Sequence, residues 1–326
     1  VLMRLKMESY PFLTKIIQFF RLLRWPNLLM VAITQLLVKF FVIDYFYSIT
    51  GAQSPLPVLV FAMLSLATIM IAAGGYVIND YFDTETDRIN KPDKLFVGNA
   101  FSRQQVVFIY LMLSIAALLA GAYVSFAVSS FRFALVFPAV IMMLWLYSAK
   151  YKREVLSGNL LVAALSALVI LMVWLAEFFM LKSNPAFFVE AQPVLRSIFI
   201  FTLAYSGFAF FVSLVREIVK DIEDADGDLA EGCKTFVIAF GVAASKRLII
   251  VLLMLILLLI AVAIYFLITF SFVITGIWLG IFTFLPVVYL FFKVKSASAK
   301  PDYSRISLLL KVLMICGVLS MLTLSY

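Results

Sequence analysis

The chain contains no histidine and only two cysteines, Cys233 and Cys316, among its 326 residues. Without imidazole there is no His-ligated haem or zinc, no Ser-His-Asp triad and no histidine general base. Two thiols are too few for a disulfide scaffold or a four-thiolate metal site. Charge is scarce as well: Asp, Glu, Lys and Arg make up 13% of the residues, against about 25% in soluble domains. Apolar residues fill the gap at 65%, against about 45–50%. This composition excludes an ordinary soluble protein and with it disordered, collagen-like and coiled-coil classes. The net charge of +8 does not mark a nucleic-acid binder, because Lys and Arg sit between long apolar runs rather than along a polar domain. That placement belongs to a polytopic membrane protein.

A helix needs about 20 apolar residues to cross a bilayer. The apolar runs predict nine spans, approximately 27–48, 56–79, 104–127, 131–148, 156–180, 196–217, 246–268, 271–292 and 304–325. The uncharged run Leu248–Phe292 is 45 residues long. As one helix it would measure roughly 67 Å, about twice a bilayer core, so a hairpin is expected near Phe270–Ser271. The chain therefore reads as one all-α polytopic transmembrane domain over 1–326, with nine helices around a central cavity.

The basic residues orient it. Loops on alternate sides, starting with the N-terminal one, hold 21 of the 26 Lys and Arg residues, and the opposite loops hold only Lys39, Arg132, Lys182 and Arg196. Lys311, near the start of the last span, can snorkel to the basic side. The bias places the N-terminus in the cytoplasm and the C-terminus outside. No cleavable signal peptide is expected, since a basic, partly apolar segment of 26 residues precedes the first span and lacks a small-residue cleavage site. Residues 12–24 are expected to form an interfacial helix. Cys233 and Cys316 fall on different sides and cannot pair.

The acidic residues are concentrated in two places. Asp80, Asp83, Glu85, Asp87 and Asp93 follow the second span; Glu217, Asp221, Glu223, Asp224, Asp226, Asp228 and Glu231 follow the sixth. Within them one spacing repeats, Asp80-x-x-Asp83-x-x-x-Asp87 and Asp221-x-x-Asp224-x-x-x-Asp228, offset by 141 positions. The spacing i, i+3, i+7 puts three carboxylates on one helical face. The two spans are four helices apart, so both triplets face the same compartment. An internal duplication relating 56–103 and 196–235 accounts for this, with both acidic faces aimed at one cavity.

Like charges so spaced repel and require a countercharge. Oxygen ligands without His or Cys suit Mg²⁺ or Ca²⁺. Mg²⁺ usually takes one or two carboxylates plus substrate phosphate oxygens, so two clusters imply two Mg²⁺ ions bridged by a diphosphate. Arg24, Arg88, Lys91, Lys94, Lys150, Lys152, Arg153, Arg216, Lys220 and Lys234 lie at the same span ends and are candidates for direct diphosphate contact.

The run Asn79-Asp80-Tyr81-Phe82-Asp83-Thr84-Glu85-Thr86-Asp87-Arg88-Ile89-Asn90-Lys91-Pro92 resembles the first aspartate-rich motif of the UbiA superfamily of intramembrane prenyltransferases. Arg216-Glu217-Ile218-Val219-Lys220-Asp221-Ile222-Glu223-Asp224-Ala225-Asp226-Gly227-Asp228, followed by Gly232-Cys233-Lys234-Thr235, resembles the second. Arg24-Trp25-Pro26-Asn27, Leu146-Tyr147-Ser148-Ala149-Lys150-Tyr151-Lys152-Arg153 and Gly158-Asn159 agree with the same superfamily. The resemblance covers the whole chain. It implies a UbiA-like fold and Mg²⁺-dependent transfer of a prenyl group from a polyprenyl diphosphate to a hydrophobic acceptor. An integral protein of the cell (inner) membrane is expected, and the basic-residue bias puts its active site on the cytoplasmic side. Asn79, Asp80, Asp83 and Asp87 would hold one Mg²⁺, and Asp221, Asp224 and Asp228 the other. Arg24, Arg88, Lys91, Tyr147, Lys150, Lys152 and Lys220 would contact the diphosphate, with Asn27 near the headgroup. The 33 Phe, 4 Trp and 14 Tyr residues can supply an apolar tunnel and shield an allylic cation.

The Asp87-Arg88-Ile89-Asn90-Lys91-Pro92 run looks more like the branch whose acceptors are geranylgeranylglycerol phosphate, chlorophyllide and homogentisate than the hydroxybenzoate and haem branches. Lys94-Leu95-Phe96-Val97-Gly98-Asn99 departs from that branch's Arg-Pro-Ile-Pro-Ser-Gly-like segment. The expected reaction is ether-lipid prenyl transfer from a geranylgeranyl-type donor, with an aromatic quinone precursor as the alternative acceptor. The alternative of another class is a cation transporter. It fares worse, because transport sites sit near the bilayer midplane, whereas these carboxylates sit at span ends. The charges nearer the membrane, Lys39, Asp44, Glu177 and Lys311, form no evident relay in the sequence.

Overall fold

The computed structural model describes residues 11–90 and 95–326. Apart from one isolated β-bridge, Val97 with Phe101, the regular elements among the described residues are helical. In chain order they are α1 (Pro11–Leu22), α2 (Trp25–Ile49), α3 (Val58–Phe82), α4 (Thr84–Asn90), α5 (Arg103–Ala127), α6 (Phe131–Ala149), α7 (Ser157–Ser183), α8 (Pro185–Ala230), α9 (Phe236–Thr269), α10 (Val273–Ser296) and α11 (Lys300–Thr323). All but α1 and α4 are long and apolar enough to cross a membrane, which gives nine spans among the described residues.

Several spans have a local reason to begin or end where they do. Pro26 occupies the first turn of α2, where a missing N–H costs nothing. Ser102 and Gln105 form a reciprocal capping box at α5, with bonds of 3.2 and 2.9 Å. The expected hairpin lies at Phe270–Ser271, where Ser271 takes φ 68° between α9 and α10. Two spans run longer than the apolar pattern indicates. α8 has 46 residues, starting at Pro185 under an Asn184 side-chain cap and continuing through the charged residues after 217. At roughly 1.5 Å per residue that is about 69 Å, so its acidic end projects beyond the hydrocarbon core. α9 begins at Phe236 rather than near 246 and is kinked at Gly241 (φ 80°, ψ 167°), a conformation open to glycine.

α8 is the central post. It packs against α7, α9, α11 and α4 and belongs to both large cores. One core joins Val38, Leu64, Ala117, Phe133, Ile170 and Ile198 from α2, α3, α5, α6, α7 and α8. The other joins Val212, Ile218, Ile249, Val287 and Leu310 from α8 to α11. α1 is amphipathic, as expected of an interfacial helix. Leu22 and the following Leu23 are buried against Ala73, Val77, Val97 and Val106, while Ile16 and Phe20 stay exposed.

Three of the charges nearer the membrane, Lys39, Asp44 and Glu177, are gathered in one place. A π-helical turn over Val38–Ile43 of α2 carries Lys39, which is 2% exposed. Its ammonium donates to Asp44 (2.7 Å) and Ser54 (2.5 Å), and the Ser54 hydroxyl donates to Glu177 of α7 (2.8 Å). Glu177 is fully buried. No relay among Lys39, Asp44, Glu177 and Lys311 was evident in the sequence, and the structure links the first three in one network. Helix rise places Glu177 about 27 Å from Asn159 at the other end of α7.

Candidate active site

The two aspartate motifs stand on different backbones. α3 ends at Phe82, with Asp83 as its C-cap (φ −87°, ψ 5°). The Thr84 hydroxyl donates to the carbonyls of Asp80 and Tyr81, capping α3 as α4 restarts. The first triplet therefore straddles a helix break, with Asp80 on α3, Asp83 at the joint and Asp87 on α4, instead of lying on one continuous helical face. The second triplet, Asp221, Asp224 and Asp228, stays on unbroken α8.

Each motif is met by a cation or amide from elsewhere. Arg24, in the left-handed region (φ 53°) between α1 and α2, donates to Asp80 at 2.5 Å and lies over the Tyr76 ring, 5.0 Å from its centroid. Lys152, in a short turn over Tyr151–Arg153, is ion-paired with Asp83. Asn79 also donates to Asp83, at 2.5 Å. Asn159 in the first turn of α7 donates to Asp221 at 2.8 Å. Glu217 accepts from Arg216 at 2.8 Å and from Lys220 at 3.1 Å. Tyr147, at the end of α6, lies close to Lys152, Glu217, Asp83 and Asp221. Lys152 in turn lies close to Asp87 and Glu217. The two motifs therefore converge at one end of the bundle, where α4 packs against α8 and Tyr147 and Lys152 feel the charge of carboxylates from both.

The electrostatics follow from these pairs. Burial alone would lower the Lys152 pKa, but Asp83, Tyr147 and Asp87 outweigh it and hold the ammonium above the ordinary lysine value. Burial also works against the Arg24 charge, and Asp80 overcomes it. Burial first, then Asp228, pushes the Cys233 thiol up, which disfavours a thiolate nucleophile.

Other expected contacts are placed differently. Arg88 pairs with Glu85 at 2.8 Å on the exposed face of α4. Lys150 reaches Glu154 at 3.7 Å. Among the described residues no ion pair joins either to an aspartate of the motifs. Asn27 lies in the first turn of α2, its backbone N–H on the Arg24 carbonyl at 2.8 Å. Lys91 and Lys94 lie outside the described residues. Asn159, Tyr76 and Glu217 were absent from the expected site. Two of them had a signal, Asn159 in the Gly158-Asn159 pair after the fourth span and Glu217 in the second acidic cluster; Tyr76 had none.

Among the described residues no three carboxylates already converge as a finished metal cage. The donor set nevertheless fits Mg²⁺. It consists of oxygen atoms alone, the chemistry this ion takes, and the buried Asn79 Oδ1 beside Asp83 has no hydrogen-bond partner among the described residues.

The UbiA prenyltransferase family matches residues 36–315. Over 184 residues the chain is 35% identical to the digeranylgeranylglyceryl phosphate synthase of Sulfurisphaera tokodaii, covering 56% of this chain and 58% of that protein. Over 284 residues it is 29% identical to the synthase of the same name from Thermococcus kodakarensis, covering 83% and 88%. The chain thus spans under two thirds of the first of these relatives and most of the second. Its fold is that of a solved structure concerning digeranylgeranylglyceryl phosphate synthase, with a TM-score of 0.63 and 22% identity over 96% of this chain and 99% of that one. It is also that of a UbiA homologue from Archaeoglobus fulgidus bound to GPP and Mg²⁺, with a TM-score of 0.57 and 13% identity over 93% and 99%. At these identities the structural likeness is one of fold.

Proposed function

The chain belongs to the UbiA prenyltransferase family, and on that premise we propose that it transfers a geranylgeranyl-type group from its diphosphate to the free hydroxyl of geranylgeranylglycerol phosphate. The observation that carries this reading is the position of Lys152, paired with Asp83 and close to Glu217 of the second motif. A cation between two acidic clusters is what a diphosphate flanked by metal ions requires. The names of the relatives favour the glycerol phosphate acceptor.

Asn79, Asp80, Asp83 and Asp87 would hold one Mg²⁺ and Asp221, Asp224 and Asp228 a second; when bound, Mg²⁺ supplies positive charge to the departing diphosphate. Lys152 and Arg24 are set to exchange partners. Each gives up an aspartate and takes a phosphate oxygen, so no charge is left bare in a partly buried site. Tyr147, between the motifs, offers its hydroxyl to the same oxygens. The allylic C1–O bond then breaks, with both electrons leaving on the diphosphate, and the acceptor hydroxyl attacks C1. With no histidine in the chain, its proton passes to a carboxylate or to the released diphosphate.

The positive-inside bias supports placing this end of the bundle at the cytoplasmic face of the cell membrane. The repeated spacing supports a weak internal repeat of 56–103 with 196–235. The test is purified protein with Mg²⁺, labelled geranylgeranyl diphosphate and a choice of acceptors. Product is expected with geranylgeranylglycerol phosphate. Product with 4-hydroxybenzoate or dihydroxynaphthoate, and none with the glycerol phosphate, would overturn the acceptor assignment. Prenyl diphosphate consumption that persists in EDTA would overturn the metal-dependent chemistry.

A further inference from the structure

Two neighbouring residues in the first turn of α7 serve opposite acidic motifs. Asn159, 8% exposed, donates Nδ2 to Asp221 Oδ2 at 2.8 Å. That bond fixes the orientation of the Asp221 carboxylate. Gly158 faces the turn that carries Lys152. A Cβ at this position would lie 2.8 Å from the Tyr151 carbonyl oxygen, 2.9 Å from Lys152 Cα and 3.1 Å from Lys152 N. All three are backbone atoms, so no side-chain rotation relieves the clash and the turn itself would have to move.

The turn is also held from its far side. The Lys234 backbone N–H donates to the Arg153 carbonyl at 2.8 Å, and Arg153 pairs with Glu231 at 3.5 Å. Leu156, at φ 57°, folds the chain back so that α7 starts directly beneath the turn. Lys152 thereby reaches Asp83 from a seat whose height is set by the missing Cβ of Gly158.

We infer that Gly158 and Asn159 are positioning residues that set the two acidic motifs in register. Asn159 acts through Asp221, and Gly158 acts through Lys152 on Asp83. The inference rests on the reading of these motifs as a Mg²⁺–diphosphate site. Partners that orient ligating carboxylates typically change metal affinity by about 10–100-fold when removed.

The experiment is thermal unfolding of the purified full chain in detergent, titrated with Mg²⁺ and inorganic diphosphate. Asn159→Ala should raise the Mg²⁺ concentration giving half of the stabilisation by about 10–100-fold, with the unliganded unfolding temperature near that of the parent. Gly158→Ala should weaken diphosphate, and Lys152→Met should add little in that background, because both act through one contact. A parental Mg²⁺ half-point in Asn159→Ala, or additive effects of Gly158→Ala and Lys152→Met, would overturn the inference. Should Gly158→Ala fail to accumulate folded, the Asn159 arm decides alone. Asp221→Asn separates the two layers. If it keeps the parental half-point, the metal reading of the second motif falls. If it loses the stabilisation while Asn159→Ala keeps it, only the positioning role falls.

Discussion

Lys152 donates its ammonium to Asp83 across 69 positions of sequence, joining the turn after α6 to the break between α3 and α4. The pair sets a charge from outside the acidic motifs against the middle aspartate of the first. Lys152→Met should raise the KM for prenyl diphosphate by about 10–100-fold, the usual loss for a hydrogen bond to a charged group. Lys152→Arg should recover part of it. The pairing carries a pH signature. A pKa raised on folding stabilises fully below the free-lysine value of about 10.4 and is lost only as pH rises through the higher folded value. The difference in unfolding midpoint between Lys152→Met and the parent should therefore stay flat from about pH 6 to about pH 9. A difference that shrinks over that interval would show that Lys152 titrates there and that Asp83 does not hold its charge.

Each acidic motif should be separately indispensable. Asp83→Asn and Asp224→Asn remove one negative oxygen each and preserve side-chain size. Both are expected to lower kcat by orders of magnitude at saturating Mg²⁺ while the unfolding profile stays cooperative, since each motif would bear its own ion. Near-parental turnover in either well-folded variant would reduce the site to one ion.

The spans were legible because apolar length and loop charge are local properties, and so was the hairpin where Ser271 turns with φ 68°. The pattern stopped α8 and α9 short because charged residues interrupt it, yet helices tolerate charge once they leave the hydrocarbon. The identity of the acidic motifs was equally legible, since i, i+3, i+7 spacing is written in the chain. The partners of those aspartates were not. Asn159 meets Asp221 across 62 positions, and Arg24 meets Asp80 across 56; one sequence holds no spacing rule for contacts between helices. The break at Asp83 was hidden for a related reason, since the side chain that caps α3 there, Thr84, differs little from any helical threonine.

Orientation offers a third test. Cysteine placed at Glu231, at the motif end of α8, should react with an impermeant thiol reagent only from the cytoplasmic side. Cysteine at Ser183, where α7 ends, should react only from the opposite side. A background in which Cys233 and Cys316 are replaced keeps the signal clean. Labelling of both sites from the same side would contradict the single crossing between them, and exchanged sides would invert the topology.

The last prediction concerns the far end of the bundle, where Lys39 lies buried between Asp44 and the Ser54–Glu177 pair. Removing one member of a buried ion network leaves the rest uncompensated, typically at about 3–5 kcal/mol. Lys39→Met strips the only cation the described network contains and leaves two carboxylates, so it should be the most damaging single change. Glu177→Gln keeps the shape and the bond from Ser54 while removing one negative charge, and should cost less. Combining the two should be less destabilising than the sum, because the glutamine removes one of the carboxylates that Lys39→Met leaves unpaired. Unfolding midpoints in detergent measure all three variants. Helix rise puts this network about 27 Å from Asn159, so the Mg²⁺ half-point should remain parental in any variant that folds. A Lys39→Met protein as stable as the parent would show that the network is a bystander. A shifted Mg²⁺ half-point would show that the two ends of α7 are coupled.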